Sequence, residues 1–279
     1  KTGLASIVAL TTKKNPFPQE KVNYLLITGQ MKYDSSEYAT LKEKIQMAGY
    51  AVILVAEAAQ IQIANRLLWE CRNVTADARI LEVGIGSGMI AMQLAPCCKT
   101  YSGRDISKIV LDKLDGMAKE RKMNNLRLYP YAADEIYHIQ EKFDIILMSS
   151  VTEYFSGYNY LRKVIERCIE QIDGKGVILF ADIFDLDKKD SYRQSVYQYA
   201  KAHPGVRYKR DFSHELFIPH EYWKDIANQF PQITKTFISD KIGRYKNEIN
   251  RFRYDVLFEV NHSRQWQEEV PLYKYQFGM

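Results

Sequence analysis

The chain has 279 residues, with 39 Lys and Arg against 34 Asp and Glu for a formal charge of +5, and 46% of its residues are hydrophobic. This balance excludes a disordered or fibrous chain, and the length limits it to one large domain or one domain with an appended piece. No run reaches the roughly 18–20 uncharged apolar residues of a membrane span. The four cysteines, Cys71, Cys97, Cys98 and Cys168, have no CxxC spacing, so no metal site is expected, and reduced thiols in a cytoplasmic compartment are.

The amino end, KTGLASIVALTTKK, is too short to cross a bilayer and is followed by no small-residue cleavage site. It does not begin with Met, and a piece of a longer chain is expected. Residues 1–60 hold two strand-like runs, 22–28 and 51–56, around a helix-like stretch at 36–48, the pattern of a small βαβ-like extension. Beyond it come strands at 80–84, 99–105, 126–131, 143–149, 176–183, 233–240 and 253–260. Helices are predicted at 61–72, 88–95, 107–122, 158–172, 189–202 and 220–229. Such alternation builds a mostly parallel sheet packed with helices. The last two strands are about a dozen residues apart, too close for a crossover helix, so they are expected to pair antiparallel. Of the twenty tyrosines, eleven cluster at 154–160, 192–208 and 245–275, either as half-buried residues whose hydroxyls reach water or as the lining of a cleft.

The most informative stretch is Ile80-Leu81-Glu82-Val83-Gly84-Ile85-Gly86-Ser87-Gly88, an apolar strand entering a glycine-rich turn that opens a helix. Glycine there tolerates positive φ and lets backbone N–H groups approach a ligand closely. Met89 stands where a dinucleotide fingerprint needs its third glycine, and no Gly-Lys-Ser/Thr follows, so a nicotinamide or flavin site and a P-loop are both disfavoured. Asp105 lies 21 positions after Gly84, at the end of the second strand, where a carboxylate can accept from both hydroxyls of a ribose or cap the next helix. Asp134 follows the third strand, placed either to meet an adenine amino group or to cap a turn.

With these features the segment 78–150 resembles the cofactor half of class I S-adenosylmethionine-dependent methyltransferases. Ser149-Ser150-Val151-Thr152-Glu153-Tyr154-Phe155 and Asn247-Glu248-Ile249-Asn250-Arg251-Phe252-Arg253-Tyr254-Asp255 extend the likeness. They resemble the Asn-Ser-Val-Val-Gln-Tyr-Phe and Asn-Glu-Leu-x-x-Phe-Arg-Tyr-Asp stretches in methyltransferase domains of nonribosomal peptide synthetases and hybrid polyketide synthases. Ser149 and Glu153 depart from the usual Asn and Gln, placing a carboxylate where the family offers an amide.

The resemblance implies an α/β, Rossmann-like seven-stranded mixed sheet with its last strand antiparallel, flanked by helices and preceded by the extension. The division expected is 1–60 as extension, 61–262 as methyltransferase with an acceptor-side insertion at 184–232, and 263–279 as tail. It implies S-adenosyl-L-methionine as cofactor, held by Glu82, Gly84, Gly86, Gly88, Asp105, Ile106, Ala133, Asp134, Ser149 and Ser150. The implied partners are a phosphopantetheinyl carrier protein bearing an aminoacyl or acyl group and neighbouring synthetase domains, with neither nucleic acid nor membrane.

Methyl transfer is a displacement at carbon that rests on alignment in a dry site, and an amine, hydroxyl or α-carbon acceptor must also lose a proton. Glu153, Tyr154 and His214 are the catalytic candidates, with Tyr154 equally a pocket wall and His220 a further histidine beside the same segment. Glu215 next to His214 offers a His–carboxylate pair. Glu215, Asn247, Glu248 and Arg253 join Tyr154 as substrate-binding candidates, although Arg253 and Glu248 can also simply pair with each other. The clusters Arg207-Lys209-Arg210 and Lys241-Arg244-Lys246 are candidates for steering an acidic carrier. N-methylation is favoured over carbon or oxygen. The alternatives are a freestanding small-molecule methyltransferase and an inactive scaffold domain. A nucleic-acid enzyme is disfavoured, because Asn/Asp-Pro-Pro-Tyr/Phe does not follow the fourth strand and no dense basic stripe is present.

Overall fold

The computed structural model describes residues 74–204, 211–241 and 247–263 in full, together with the backbone of three strands near the amino end. Those are β1 (Leu4–Thr11), β2 (Tyr24–Lys32) and β3 (Tyr50–Leu54), an antiparallel sheet in the order β2-β1-β3. The two strands expected here run in the same direction, with the unanticipated β1 paired between them. The expected helices at 36–48 and 61–72 lie outside the described residues, as do Arg207, Lys209, Arg210, Arg244 and Lys246.

The main sheet is formed by β4 (Arg79–Val83), β5 (Thr100–Arg104), β6 (Leu126–Tyr129), β7 (Phe143–Ser149), β8 (Ile172–Phe184), β9 (Ile233–Asp240) and β10 (Arg253–Asn261). Its order is β6-β5-β4-β7-β8-β10-β9, with β10 antiparallel to both neighbours and the other pairs parallel. This is the mixed seven-stranded sheet that the strand spacing predicts. The order reverses at β4, which lies between β5 and β7, and ligands of open α/β sheets bind in the crevice at the carboxyl ends of such strands.

The helices are α1 (Ala91–Leu94), α2 (Lys108–Glu120), α3 (Tyr158–Gln171), α4 (Lys189–Ala202), α5 (His220–Gln229) and α6 (Glu248–Phe252). The helix expected at 88–95 shortens to α1 because Pro96, which has no N–H to donate, tightens the next residues into a 3₁₀ turn at Ala95–Cys97. Two cores cover the faces of the sheet. Leu111 and Leu114 of α2 pack with Ile80, Ile145 and Leu179 on one face, while Leu161, Ile165 and Trp223 pack with Leu81, Ile146 and Phe180 on the other.

Alternation along β8 puts Val177, Leu179 and Ala181 in the first core and Ile178 and Phe180 in the second, yet Ile183 also lies in the second. The parity flips because Ala181 and Asp182 together oppose Asp255, a one-residue bulge with Asp182 at φ +61°. The stretch after β8 is sewn back onto the sheet edge. Ile218 N–H donates to the Phe184 carbonyl (2.9 Å) and Leu216 N–H to the Glu153 carbonyl (3.0 Å).

Trp223 Nε1–H donates to Tyr254 Oη (2.7 Å), which donates to the Ile218 carbonyl (2.8 Å), all within the core. Tyr254→Phe should therefore strand one buried donor and one buried acceptor. A loss of about 1–3 kcal/mol is expected in chemical denaturation, with an unchanged m-value.

Candidate active site

The fully buried run Ile80-Leu81-Glu82-Val83 delivers the chain to a turn in which Gly84, Gly86 and Gly88 have φ of +76°, +51° and +76°. Gly84 is also a close approach, since a Cβ there would sit 2.3 Å from Val151 Cγ2. The Arg104 carbonyl receives the N–H groups of Gly84 (2.8 Å) and Ile85 (2.9 Å). Asp105 then ties the glycine loop to the next helix, its Oδ2 accepting from Gly86 N–H (3.1 Å) and its Oδ1 from Ser107 N–H (2.8 Å) at the start of α2. Each oxygen keeps a lone pair for a ribose hydroxyl. Ile106, next along, is 81% exposed, an uncovered apolar side chain beside the carboxylate.

Ala133 is buried at the head of a 3₁₀ turn, Ala133–His138. Asp134 accepts from Tyr160 Oη and Lys163 Nζ, both at 2.8 Å, and the Lys163 bond holds its carboxyl below the usual range. Its charge is thus already matched from α3. The glycine turn with no side chains at Gly84, Gly86 and Gly88, a carboxylate with spare lone pairs and the open apolar wall at Ile106 fit an adenosine-bearing cation.

Glu82 is buried within β4, its Oε2 accepting from Tyr101 Oη at 2.6 Å. Burial pushes its carboxyl up to about 8, partly offset by the Tyr101 bond. Unfolded, the same group titrates near 4.5. Between these values the folded chain holds a proton that the unfolded chain has released, so stability declines as pH rises from about 4.5 to 8. Glu82→Gln, which can still accept from Tyr101, should remove that decline. The check is denaturation midpoints measured across that range, where the variant gains on the wild type towards pH 8.

A second polar cluster lies beyond β7. Ser149 and Ser150 donate to the same oxygen, Asp182 Oδ2, at 2.8 and 3.1 Å. Lys241 Nζ sits 2.6 Å from Oδ1 of Asp182 and 2.6 Å from Oδ1 of Asp255, the former an ion contact without an aligned hydrogen bond. Burial drives both acids up, and Lys241 with Ser149 returns Asp182 to below its ordinary value while Asp255 stays raised. Arg253 Nη1 donates to Glu153 Oε1 (3.0 Å) and to the Asp182 carbonyl (3.2 Å), and its Nε donates to Glu248 Oε1 (2.8 Å). The guanidinium also stacks 3.9 Å over the Phe184 ring. Glu153 is buried in the 3₁₀ turn Thr152–Tyr154, and its Oε2 has no hydrogen-bond partner among the described residues. Burial raises its pKa against the pull of Arg253. Four carboxylates thus surround two cations at this edge.

The structure brings together Ser149, Ser150, Glu153, Glu248 and Arg253 and separates others. His214 is an exposed side chain, 91% accessible, whose Nε2 lies 3.9 Å from Asp211, so it is not held in the network. The expected His214–Glu215 pair is replaced by His220, with Nε2 3.6 Å from buried Asp185 Oδ2 at the end of β8. Tyr154 is 77% exposed at the rim. Asn247 caps α6, its side chain accepting from Asn250 N–H at 3.0 Å. Lys241, expected on a carrier-steering surface, is instead a largely covered counter-ion with 11% of its side chain accessible, because the buried acids Asp182 and Asp255 both lie 2.6 Å from its ammonium. Asp182 escaped the sequence reading altogether. Its signal is a lone acid inside the apolar run Val177–Ile183.

Residues 81–178 match the family described as a methyltransferase domain, over the glycine loop, Asp105 and the strands that carry them. The chain carries a class I S-adenosylmethionine-dependent methyltransferase domain. Over 192 residues the chain is 31% identical to chondramide synthase cmdD of Chondromyces crocatus, covering 65% of this chain and 5% of that protein. It is 26% identical over 190 residues to a probable non-canonical nonribosomal peptide synthetase, CymA, of Salinispora arenicola (67% and 2%). The methyltransferase chain therefore spans a small fraction of these curated relatives. Among solved structures, the N-methyltransferase NodS of Bradyrhizobium japonicum WM9 shares the fold, with a TM-score of 0.52 at 13% identity over 73% of this chain and 96% of that one. Among the described residues no helix of the methyltransferase is long and apolar enough to cross a membrane.

Proposed function

We propose that this methyltransferase acts on the amino nitrogen of an aminoacyl group tethered to a phosphopantetheinyl carrier protein, within a nonribosomal peptide or hybrid polyketide assembly line. The similarity to peptide synthetases supports the setting. The observation that carries the nitrogen is Glu153 Oε2, a buried acceptor atom without a donor among the described residues, on the acid-rich side of the network. A buried carboxylate in that state favours an incoming ammonium or amine N–H over a neutral hydroxyl or a carbon acid.

S-adenosylmethionine supplies an electrophilic methyl group on a good leaving group. This chain's part is to orient the amine, exclude water and receive its proton at Glu153 Oε2. Arg253 holds the other oxygen, keeping the carboxylate aimed. The insertion stretch Leu216–Ile218, fixed to the Glu153 and Phe184 carbonyls, borders the same place.

Incubation with trideuteromethyl S-adenosylmethionine and an aminoacyl pantetheine thioester should put the label on nitrogen, as located by tandem mass spectrometry. Label on the α-carbon or on oxygen would refute the assignment. Glu153→Gln should lower kcat by about 100-fold and remove the rise of kcat with pH that accompanies ionisation of Glu153. The His220–Asp185 pair supports a second reading, α-carbon methylation, because an imidazole backed by a buried carboxylate is suited to taking a carbon-bound proton. In that case His220→Phe, and not Glu153→Gln, would carry the large loss.

A further inference from the structure

We propose that Asp182 is a positioning residue for cofactor capture, holding the turn after β7 against the glycine loop from the far side of β7. The inference rests on cofactor binding and not on the choice of acceptor, so its failure would leave the nitrogen assignment standing.

Asp182 is the extra residue of the β8 bulge, 1% exposed, in the left-handed region at φ +61°. Non-glycine residues avoid this region unless their surroundings impose it. Its N–H leaves the sheet ladder and donates to Asp255 Oδ1 (2.9 Å), which turns its carboxylate across β8 to the end of β7. There Oδ2 takes both serine hydroxyls. Ser150 is itself left-handed, at φ +54°, so two strained residues, one in β8 and one just past the end of β7, are clamped through one oxygen. Val151, the next residue, packs against Gly84 with no room for a Cβ. The contacts run without a gap from Asp182 through Ser149 and Ser150 to Val151 and so to the first glycine of the loop. Lys241 offsets the buried charge, and without Asp182 it would still have Asp255 as a one-to-one partner. Removing the Asp182 carboxylate therefore strands no ion.

The test is calorimetric titration of the 279-residue chain with S-adenosylhomocysteine. Asp182→Ala and the double change Ser149→Ala/Ser150→Ala should each weaken binding about tenfold or more, the loss expected for hydrogen bonds to a charged group. The triple variant should be no weaker than the poorer of the two, because both remove one interaction. Ser149→Thr, which keeps a hydroxyl on a strand residue, should bind within about threefold of the wild type. The proposal is overturned if the serine pair binds as the wild type does, or if the triple variant's loss is the product of the two. The serine changes leave Asp182 paired with Lys241, so they carry the test even if Asp182→Ala does not fold.

Discussion

Gly84→Ala should cost this methyltransferase at least about 100-fold in affinity for S-adenosylhomocysteine while leaving its far-ultraviolet circular dichroism unchanged. Two effects add. At φ +76° an L-residue pays a left-handed penalty of about 1–2 kcal/mol. The new Cβ would also lie 2.3 Å from Val151 Cγ2, a distance that no rotation of the alanine methyl can relieve. Val151 is branched at Cβ and belongs to the clamped turn after β7, so the yielding partner is the glycine loop, whose N–H groups then leave their places. Adding Val151→Ala removes the collision and keeps the φ strain, and the double variant should regain part of the lost affinity. Calorimetry on both variants decides it. If Gly84→Ala binds as the wild type does, the loop is not held where the structure puts it.

Lys241→Met should destabilise the fold by about 3–5 kcal/mol, the usual cost of removing one partner from a buried ionic group. Asp182 and Asp255 would then face each other without the ammonium now 2.6 Å from both. In that variant each carboxyl is harder to ionise in the folded chain than in the unfolded one. The deficit should therefore shrink as pH falls towards the ordinary carboxylate range and widen as pH rises above it. Asp182→Asn combined with Lys241→Met leaves a single buried acid and should recover much of the loss. Urea denaturation at two pH values checks both statements. A surface lysine that merely steered a partner would show neither effect, because exposed ion pairs contribute about 1 kcal/mol or less.

The contrast shows what could be read from the amino acids. The glycine loop and Asp105 were legible because their chemistry is local: the turn needs positive φ, and the acid follows the adjacent strand. The strands of the main sheet were legible from apolar runs, and the antiparallel last strand from a connection too short to cross over. Lys241 was misread because two nearby basic residues make it look like part of a charged surface, whereas its environment is set by acids 59 positions before it and 14 after it. His214 and His220 look alike in sequence, and only the docking of the 216–218 stretch on β8 sends one to solvent and the other to Asp185. Asp182 was missed because a bulge has no periodic signature. The apolar run around it reads as an ordinary buried strand, and its left-handed backbone is imposed by Asp255, Ser149 and Ser150.

The bulge gives β8 two reading frames. Before it, odd-numbered residues face the α2 side; after it, Ile183 faces the α5 side. The strand can thus obey the packing of a core along most of its length and still deliver its last residues in the opposite phase, with Phe184 beneath Arg253 and Asp185 beside His220. A strand that kept all its residues but paired without the bulge would look ordinary and keep an intact core while transposing everything downstream to the wrong face. In this architecture one unpaired residue in β8, as much as the identity of its side chains, decides which groups meet at the carboxyl edge of the sheet.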